Sequence, residues 1–283
     1  MKRVTAYIQI MRPLNCLMMG FAVIVGAVLA NPNFTNFLWI NALYGALTGF
    51  TLTAAAMAIN DYYDRKIDAV NEPDRPIPSG LISSRSAVSF AGILTVIGLT
   101  FAYLTNIFCF AAGIIAWLIM MAYSTFGKRS GLLGNFLVSA CVATPFIYGS
   151  IAVTNMVQTN VFLFAAMAFL SNTGREVTKG IVDVKGDKIQ NIKTLAVKFG
   201  ARKAALAAVI FYITAVALSP VAYVLQLVSW LFIPFVLVTD IGLICCSLLL
   251  IRDSSRQNAR KIKKVVLFLF IFGLLAFIFG TVR

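Results

Sequence analysis

The chain contains no histidine. That removes the side chain most used as a general base near neutral pH and the commonest zinc ligand. Acids are nearly as scarce, with ten Asp and Glu among 283 residues against 24 Lys and Arg. Charged residues of both signs reach only 12% while apolar ones reach 60%, at a mean hydropathy of +0.89, which excludes an ordinary soluble domain and points to a polytopic membrane protein. The five cysteines (Cys16, Cys109, Cys141, Cys245, Cys246) have no metal-ligand spacing and fall in apolar stretches, where they read as packing residues. A net charge of +14 is accounted for by loops that face anionic lipid, so it gives no reason to expect nucleic acid as a partner.

What fills the chain instead is apolar segments near the length of about 20 residues that a spanning helix needs. Nine are predicted: 14–30, 37–59, 86–104, 107–126, 132–153, 158–176, 203–222, 228–251 and 265–282. Pro220 and Pro234 interrupt one long run, so the boundary between the seventh and eighth is set only by them. Lys2, Arg3 and the small residues near Ala30 imitate a signal peptide, but 17 apolar residues exceed its usual core, and the segment is read as a retained helix. The expected fold is therefore an all-α integral membrane bundle of nine helices, forming one domain over 1–283. With these segments, every Lys and Arg except Arg283 falls on the side of the N-terminus, and the opposite loops carry no charge. By the positive-inside rule the N-terminus is cytoplasmic and the C-terminus outside.

Most of the scarce acids stand in two groups, Asn60-Asp61-x-x-Asp64-x-x-x-Asp68 and Glu176-x-x-Lys179-x-x-x-Asp183-x-x-x-Asp187. Asn60, Asp64 and Asp68 repeat as Lys179, Asp183 and Asp187 with the same i, i+4, i+8 spacing, which lines each triplet along one helix face. Both follow even-numbered spans, so both emerge on the cytoplasmic side. The sixth span adds a clue, because its apolar run stops at Leu170 and a full crossing draws Ser171 to Glu176 into the membrane's depth. Charges there are tolerated only against a bundle interior or a wet cavity. A central polar cavity opening to the cytoplasm follows.

Two facing carboxylate groups beside basic residues suit Mg²⁺, which takes hard oxygen ligands and is typically held by one or two carboxylates plus substrate phosphate oxygens. Arg and Lys can hydrogen-bond the remaining phosphate oxygens. A metal-bridged diphosphate is the ligand this pattern fits.

Four stretches together resemble the UbiA-type intramembrane prenyltransferase superfamily: Arg12-Pro13-Leu14-Asn15, Asn60 through Asp68, Arg75-Pro76-Ile77-Pro78-Ser79-Gly80, and Asp183-Val184-Lys185-Gly186-Asp187. The resemblance implies a nine-helix bundle, a lateral opening for a lipid tail and Mg²⁺-dependent transfer of a prenyl group from its diphosphate. Within the superfamily, the stretch at Arg75 and Arg175-Glu176-Val177-x-Lys179-Gly180-Ile181-x-Asp183 are most similar to the branch that makes the second ether bond of archaeal membrane lipid. That branch joins geranylgeranyl diphosphate to the free hydroxyl of geranylgeranylglyceryl phosphate. The resemblance then assigns Asp64, Asp68, Asp183 and Asp187 to metal and catalysis, with Asn60 as a neutral ligand or hydrogen-bond partner. Arg65, Lys128 and Lys179 are candidates to grip the diphosphate, and Arg75 and Lys185 either phosphate. Asn15, polar at the start of an apolar helix, is a further substrate-binding candidate.

Plainer alternatives stand beside these. The acidic groups can be solvated loop carboxylates balancing Arg65, Lys66, Lys185 and Lys188. Lys128 and Arg12 can anchor topology, the turn at Arg75 can be a plain connector, and Tyr123 and Tyr148 can be packing aromatics. Asp240, an acid inside a span, is either functional or satisfied by a neighbouring helix. Prenylation of an aromatic acceptor for quinone synthesis is the nearest competing activity. A transporter is the competing class, but its ionisable groups would gather near the bilayer midplane, whereas these gather at one face. Nothing in the chain points to an obligate protein partner.

Overall fold

The computed structural model describes residues 2–32, 34, 36–125, 127–189 and 191–282, without the side chains of residues 2, 3, 128 and 129. Among the described residues there is no strand. The elements in chain order are α1 (Lys2–Met11), α2 (Pro13–Ala30), α3 (Trp39–Asn71), α4 (Ser84–Thr105), α5 (Ile107–Thr125), a 3₁₀ turn (Gly127–Ser130), α6 (Leu132–Thr154), α7 (Val161–Ile189), α8 (Leu195–Phe199), α9 (Ala201–Val224), α10 (Phe232–Arg252) and α11 (Arg256–Thr281). Eight of them, α2 to α6 and α9 to α11, are long and apolar enough to cross a membrane. The ninth expected span is α7, which is 29 residues long but apolar only to Leu170.

Helix starts follow the local chemistry. Pro13 cannot continue α1 with a backbone donor, so the chain breaks at Arg12, whose φ of 53° is left-handed, and α2 begins with proline in its first turn. Ser83, Thr194 and Ser255 cap α4, α8 and α11 through their hydroxyls. Pro220 lies inside α9, and the break before α10 falls between Val224 and Phe232.

Without water to drive helices together in lipid, packing depends on close approach of small residues. α2 is the central post for this reason. A Cβ at Gly26 would stand 2.2 Å from the Phe146 carbonyl of α6, and one at Gly149 of α6 would stand 2.0 Å from the Val23 carbonyl. On its other side Gly20 meets the backbone of Ala46 in α3. Phe146, Phe164, Phe232 and Phe277 form an aromatic core between α6, α7, α10 and α11, with the rings of Phe164 and Phe277 4.8 Å apart.

The polar half of α7 is satisfied within the bundle. Thr173 donates to Ser139 of α6 at 2.8 Å, Asn172 donates to the same hydroxyl at 3.2 Å, and Thr178 pairs with Tyr212 of α9 at 3.0 Å. The charged ends of the helices meet at one end of the bundle. There Arg260 of α11 grips both carboxylate oxygens of Glu72 after α3, at 2.6 and 2.7 Å, and Arg256 donates to the Val182 carbonyl of α7.

Candidate functional site

Both acidic groups lie on helices that continue past the apolar part of the span rather than on the loops after them. α3 carries Asn60, Asp61, Asp64 and Asp68, and α7 carries Glu176, Lys179, Asp183 and Asp187. The helices close on each other at Gly186, where a Cβ would stand 2.3 Å from the Asn71 amide nitrogen and 2.9 Å from Ile67. Glycine in Asp183-Val184-Lys185-Gly186-Asp187 therefore permits the approach. Asn60, Asp64, Asp68 and Asp183 line one pocket together with Arg75, Tyr123 and Lys179. A second pocket, sharing Tyr123, Lys179 and Asp183, continues to Asp187 and Glu176.

Both open beside a central cavity of about 230 Å³ between α2, α3, α5, α6, α7 and α11. Its polar wall comprises Arg12, Asn15, Asn60, Arg75, Asn172 and the α7 charges, and its far wall is Met18, Met19, Met57, Leu267 and Phe270. Asn15 thus stands in the cavity, with its amide 3.8 Å from the Met57 sulfur. Asn60 accepts a short hydrogen bond from Ser124 of α5.

The cations are held by different partners. Asp61, only 3% exposed, receives Arg12 at 2.5 Å and Arg75 at 3.5 Å, and Asp68 receives Arg75 at 2.6 Å. Asp61 stands off the face shared by Asn60, Asp64 and Asp68 because the next residue on a helix is turned by about 100°. It is a buried clamp that brings Arg12, from the break before α2, and Arg75, from the turn after α3, to the same edge. Burial opposes charge on Arg75, but Asp68 and Asp61 outweigh it and hold the guanidinium firmly protonated. The turn itself folds back through Ser79 and Ile82 amides onto the Arg75 and Pro76 carbonyls. On α7, Glu176 is buried between Arg175 and Lys179, each at 3.2 Å.

Not every predicted residue reaches the cavities. Arg65 donates to the Tyr62 carbonyl at 2.7 Å and lies over that tyrosine ring. Lys185 is exposed, and neither residue is among those lining the cavities described above. The side chain of Lys128 lies outside the described residues. Tyr123 lines both acidic pockets and the central cavity, whereas Tyr148 is buried in an apolar chamber below. Asp240 is satisfied by a neighbouring helix, accepting from Ser219 of α9 at 2.5 Å.

The sequence places Arg175 and Glu176 against a wet cavity, as found, but gives no such sign for Lys263, which also lines the central cavity. Lys263 was hidden in a basic run from Arg256 to Lys264 that topology explains. The one signal was periodicity, since Ala259, Ile262, Val266 and Leu269 are the buried face of α11 and Lys263 adjoins it.

Among the described residues no three carboxylates or thiols converge as a metal-holding group. The donors are nonetheless hard oxygens facing one another across a pocket. Such a set suits a hard divalent cation whose coordination shell is completed by substrate phosphate oxygens.

Residues 19–279 match the UbiA prenyltransferase family. The chain belongs to that family. Among UbiA-family relatives, the digeranylgeranylglyceryl phosphate synthase of Archaeoglobus fulgidus is 39% identical over 271 residues, covering 94% of this chain and 91% of its own. A solved structure concerned with digeranylgeranylglyceryl phosphate synthase is 28% identical, with a TM-score of 0.75, and covers 100% of this chain and 99% of that one. A UbiA homolog from Archaeoglobus fulgidus, solved bound to GPP and Mg²⁺, shares the fold at 19% identity and a TM-score of 0.63, over 96% of this chain and 99% of its own. With its apolar helices and its UbiA membership, the chain is a multi-pass membrane protein.

Proposed function

We propose that this UbiA-family chain transfers a geranylgeranyl group from geranylgeranyl diphosphate to the free hydroxyl of geranylgeranylglyceryl phosphate. The observation that carries this reading is likeness over nearly the whole chain to digeranylgeranylglyceryl phosphate synthases. The cavity agrees with it, since a carboxylate pocket adjoins a wall of cations and both communicate with apolar space.

Asn60, Asp64, Asp68, Asp183 and Asp187 are the residues to hold Mg²⁺, and all are oxygen donors on the two acidic helices. Mg²⁺ held there would supply Lewis-acid neutralisation of the diphosphate charge. Lys179 and Arg75 are placed to hydrogen-bond diphosphate oxygens at the same edge. The carbon–oxygen bond of the donor breaks with its electron pair leaving on diphosphate. The acceptor hydroxyl oxygen bonds the allylic carbon, and its proton passes to a carboxylate, to the departing diphosphate or to water, since the chain offers no imidazole. We assign Tyr123, which lines both acidic pockets and the central cavity, to shield the allylic carbon from water.

In this reading residues 1–283 act as one prenyltransferase domain, α7 is the ninth span, and the charged end with its cavity faces the cytoplasm. The acceptor is a lipid of the same bilayer, and no protein partner is required. The test is incubation of purified protein with Mg²⁺ and both substrates, followed by mass spectrometry. A doubly alkylated glyceryl phosphate is expected. Prenylation of an aromatic acid by the same preparation, with no such product, would overturn the acceptor assignment while leaving the transfer chemistry.

A further inference from the structure

Two apolar chambers of about 90 Å³ each lead away from the central cavity, and they diverge. The first lies between α2, α3, α5 and α6, and includes Val23, Gly49, Leu52, Gly113, Trp117 and Tyr148. The second lies between α2, α6, α7, α9, α10 and α11, and includes Ala22, Phe146, Met167, Leu243, Gly273 and Phe277. Met19 of α2 borders all three spaces. On α6 the neighbours Cys141 and Val142 part them, with Cys141 facing the first chamber and Val142 the second. The cavity therefore forks on either side of one post.

Each branch has its own track from a polar head. On α3, Asn60 in the carboxylate pocket is followed at helical spacing by Ala56, Thr53 and Gly49, which pass from the central cavity into the first chamber. On α11, Lys263 in the central cavity is followed by Leu267, Phe270, Leu274 and Phe277, which pass into the second. The two heads differ in chemistry. The α3 head is carboxylates with paired arginines. At the α11 head, Lys263 forms no hydrogen bond or ion pair with any described residue, while Arg175 pairs with Glu176 at 3.2 Å through Nη1 and keeps a buried Nε without a partner. Arg12, Arg75, Lys179 and Arg175 each have a carboxylate, which Lys263 lacks. A lysine without an ion-pair partner, beside an arginine with a spare Nε–H, at the head of an apolar chamber suits an anionic headgroup on a lipid chain.

Resting on the transfer reaction above, we infer that Lys263 and Arg175 hold the phosphate of the acceptor while its isoprenoid chain lies along α11 in the second chamber, and that the donor's chain occupies the first. A reaction that joins two chain-bearing molecules must seat both tails at once, and the fork at Met19 keeps them apart while their heads meet.

The experiment uses the full-length protein in lipid with Mg²⁺, and measures KM for each substrate separately. Lys263→Met is expected to raise KM for the phosphorylated acceptor about tenfold or more, the range for losing a charge-assisted hydrogen bond. KM for geranylgeranyl diphosphate should stay within about twofold, as should the rate with the unphosphorylated geranylgeranylglycerol. Lys263→Arg should restore most of the loss, which a folding defect would not. Gly273→Leu has room for its first carbon, since a Cβ there meets only Thr239 at 3.8 Å. It should impair an acceptor with a twenty-carbon chain and spare one with a short chain. Gly113→Leu, where a Cβ meets only side chains at 3.5 Å or more, should discriminate between long and short donors instead. Equal rises in both KM values for Lys263→Met, or exchange of the two leucine phenotypes, would overturn the assignment. Absence of turnover of the phosphorylated acceptor by the unaltered protein would remove the transfer reaction and this subsite together, so the two failures are distinct.

Discussion

The two acidic helices share a spacing but not a chemistry. On α3 the acids recruit cations from elsewhere, with Asp61 and Asp68 gathering Arg12 from the break before α2 and Arg75 from the turn after α3. On α7 the counter-charges are local, with Glu176 held between its neighbours Arg175 and Lys179. Where α3 presents the neutral amide of Asn60, α7 presents the ammonium of Lys179. Repeated spacing therefore fixes where side chains point and leaves their partners open. One half assembles distant segments into the site, while the other delivers a prepared cation.

Seven substitutions would break or sharpen that comparison. The largest effect is expected for Asp64→Asn and Asp183→Asn, one on each helix, which should each cut product formation by at least about 100-fold through loss of metal affinity. A variant that kept near-normal turnover would show that its helix supplies no essential ligand. Gly186→Ala comes next. By forcing the helices apart against Asn71 it misplaces one half relative to the other, and a displacement of this kind is worth up to about 100-fold in rate. Steady-state kinetics beside a thermal unfolding midpoint would separate this from simple instability.

Lys179→Asn makes the second helix read like the first. It removes a charge-assisted contact, and KM for the diphosphate donor should rise about tenfold. An unchanged donor KM would mean that the two halves are interchangeable after all. Arg75→Lys keeps the charge but loses the guanidinium Nη1 that donates to both Asp61 and Asp68, with an expected fall of about fivefold in kcat/KM. The smallest effects, within about twofold, are expected for Arg65→Ala and Lys185→Ala, because exposed or locally stacked cations contribute little. A large loss on either would show that it swings into the site when substrate is bound.

Much of this was legible from the chain. All nine apolar segments correspond to helices, because period and length suffice where lipid demands an internally bonded backbone. The acidic triplets were legible because charge is conspicuous in so apolar a background. Lys263 was not, since a lysine that anchors topology and one that faces a cavity look alike within a basic run. Nor was the role of Asp61, which depends on arginines that are neighbours only in space. The short helix α1 was overlooked because its 10 residues are too few to span.

By itself, then, the sequence determined a multi-helix membrane bundle with two carboxylate faces, because apolar run length and i, i+4 spacing are properties of the chain. The tertiary structure decided which cations are neutralised and where the apolar space forks. Those depend on distances between helices far apart in sequence, set at Gly26 and Gly149 by backbones meeting where no side chain would fit, and at Gly186 by the close approach of the Asn71 and Ile67 side chains.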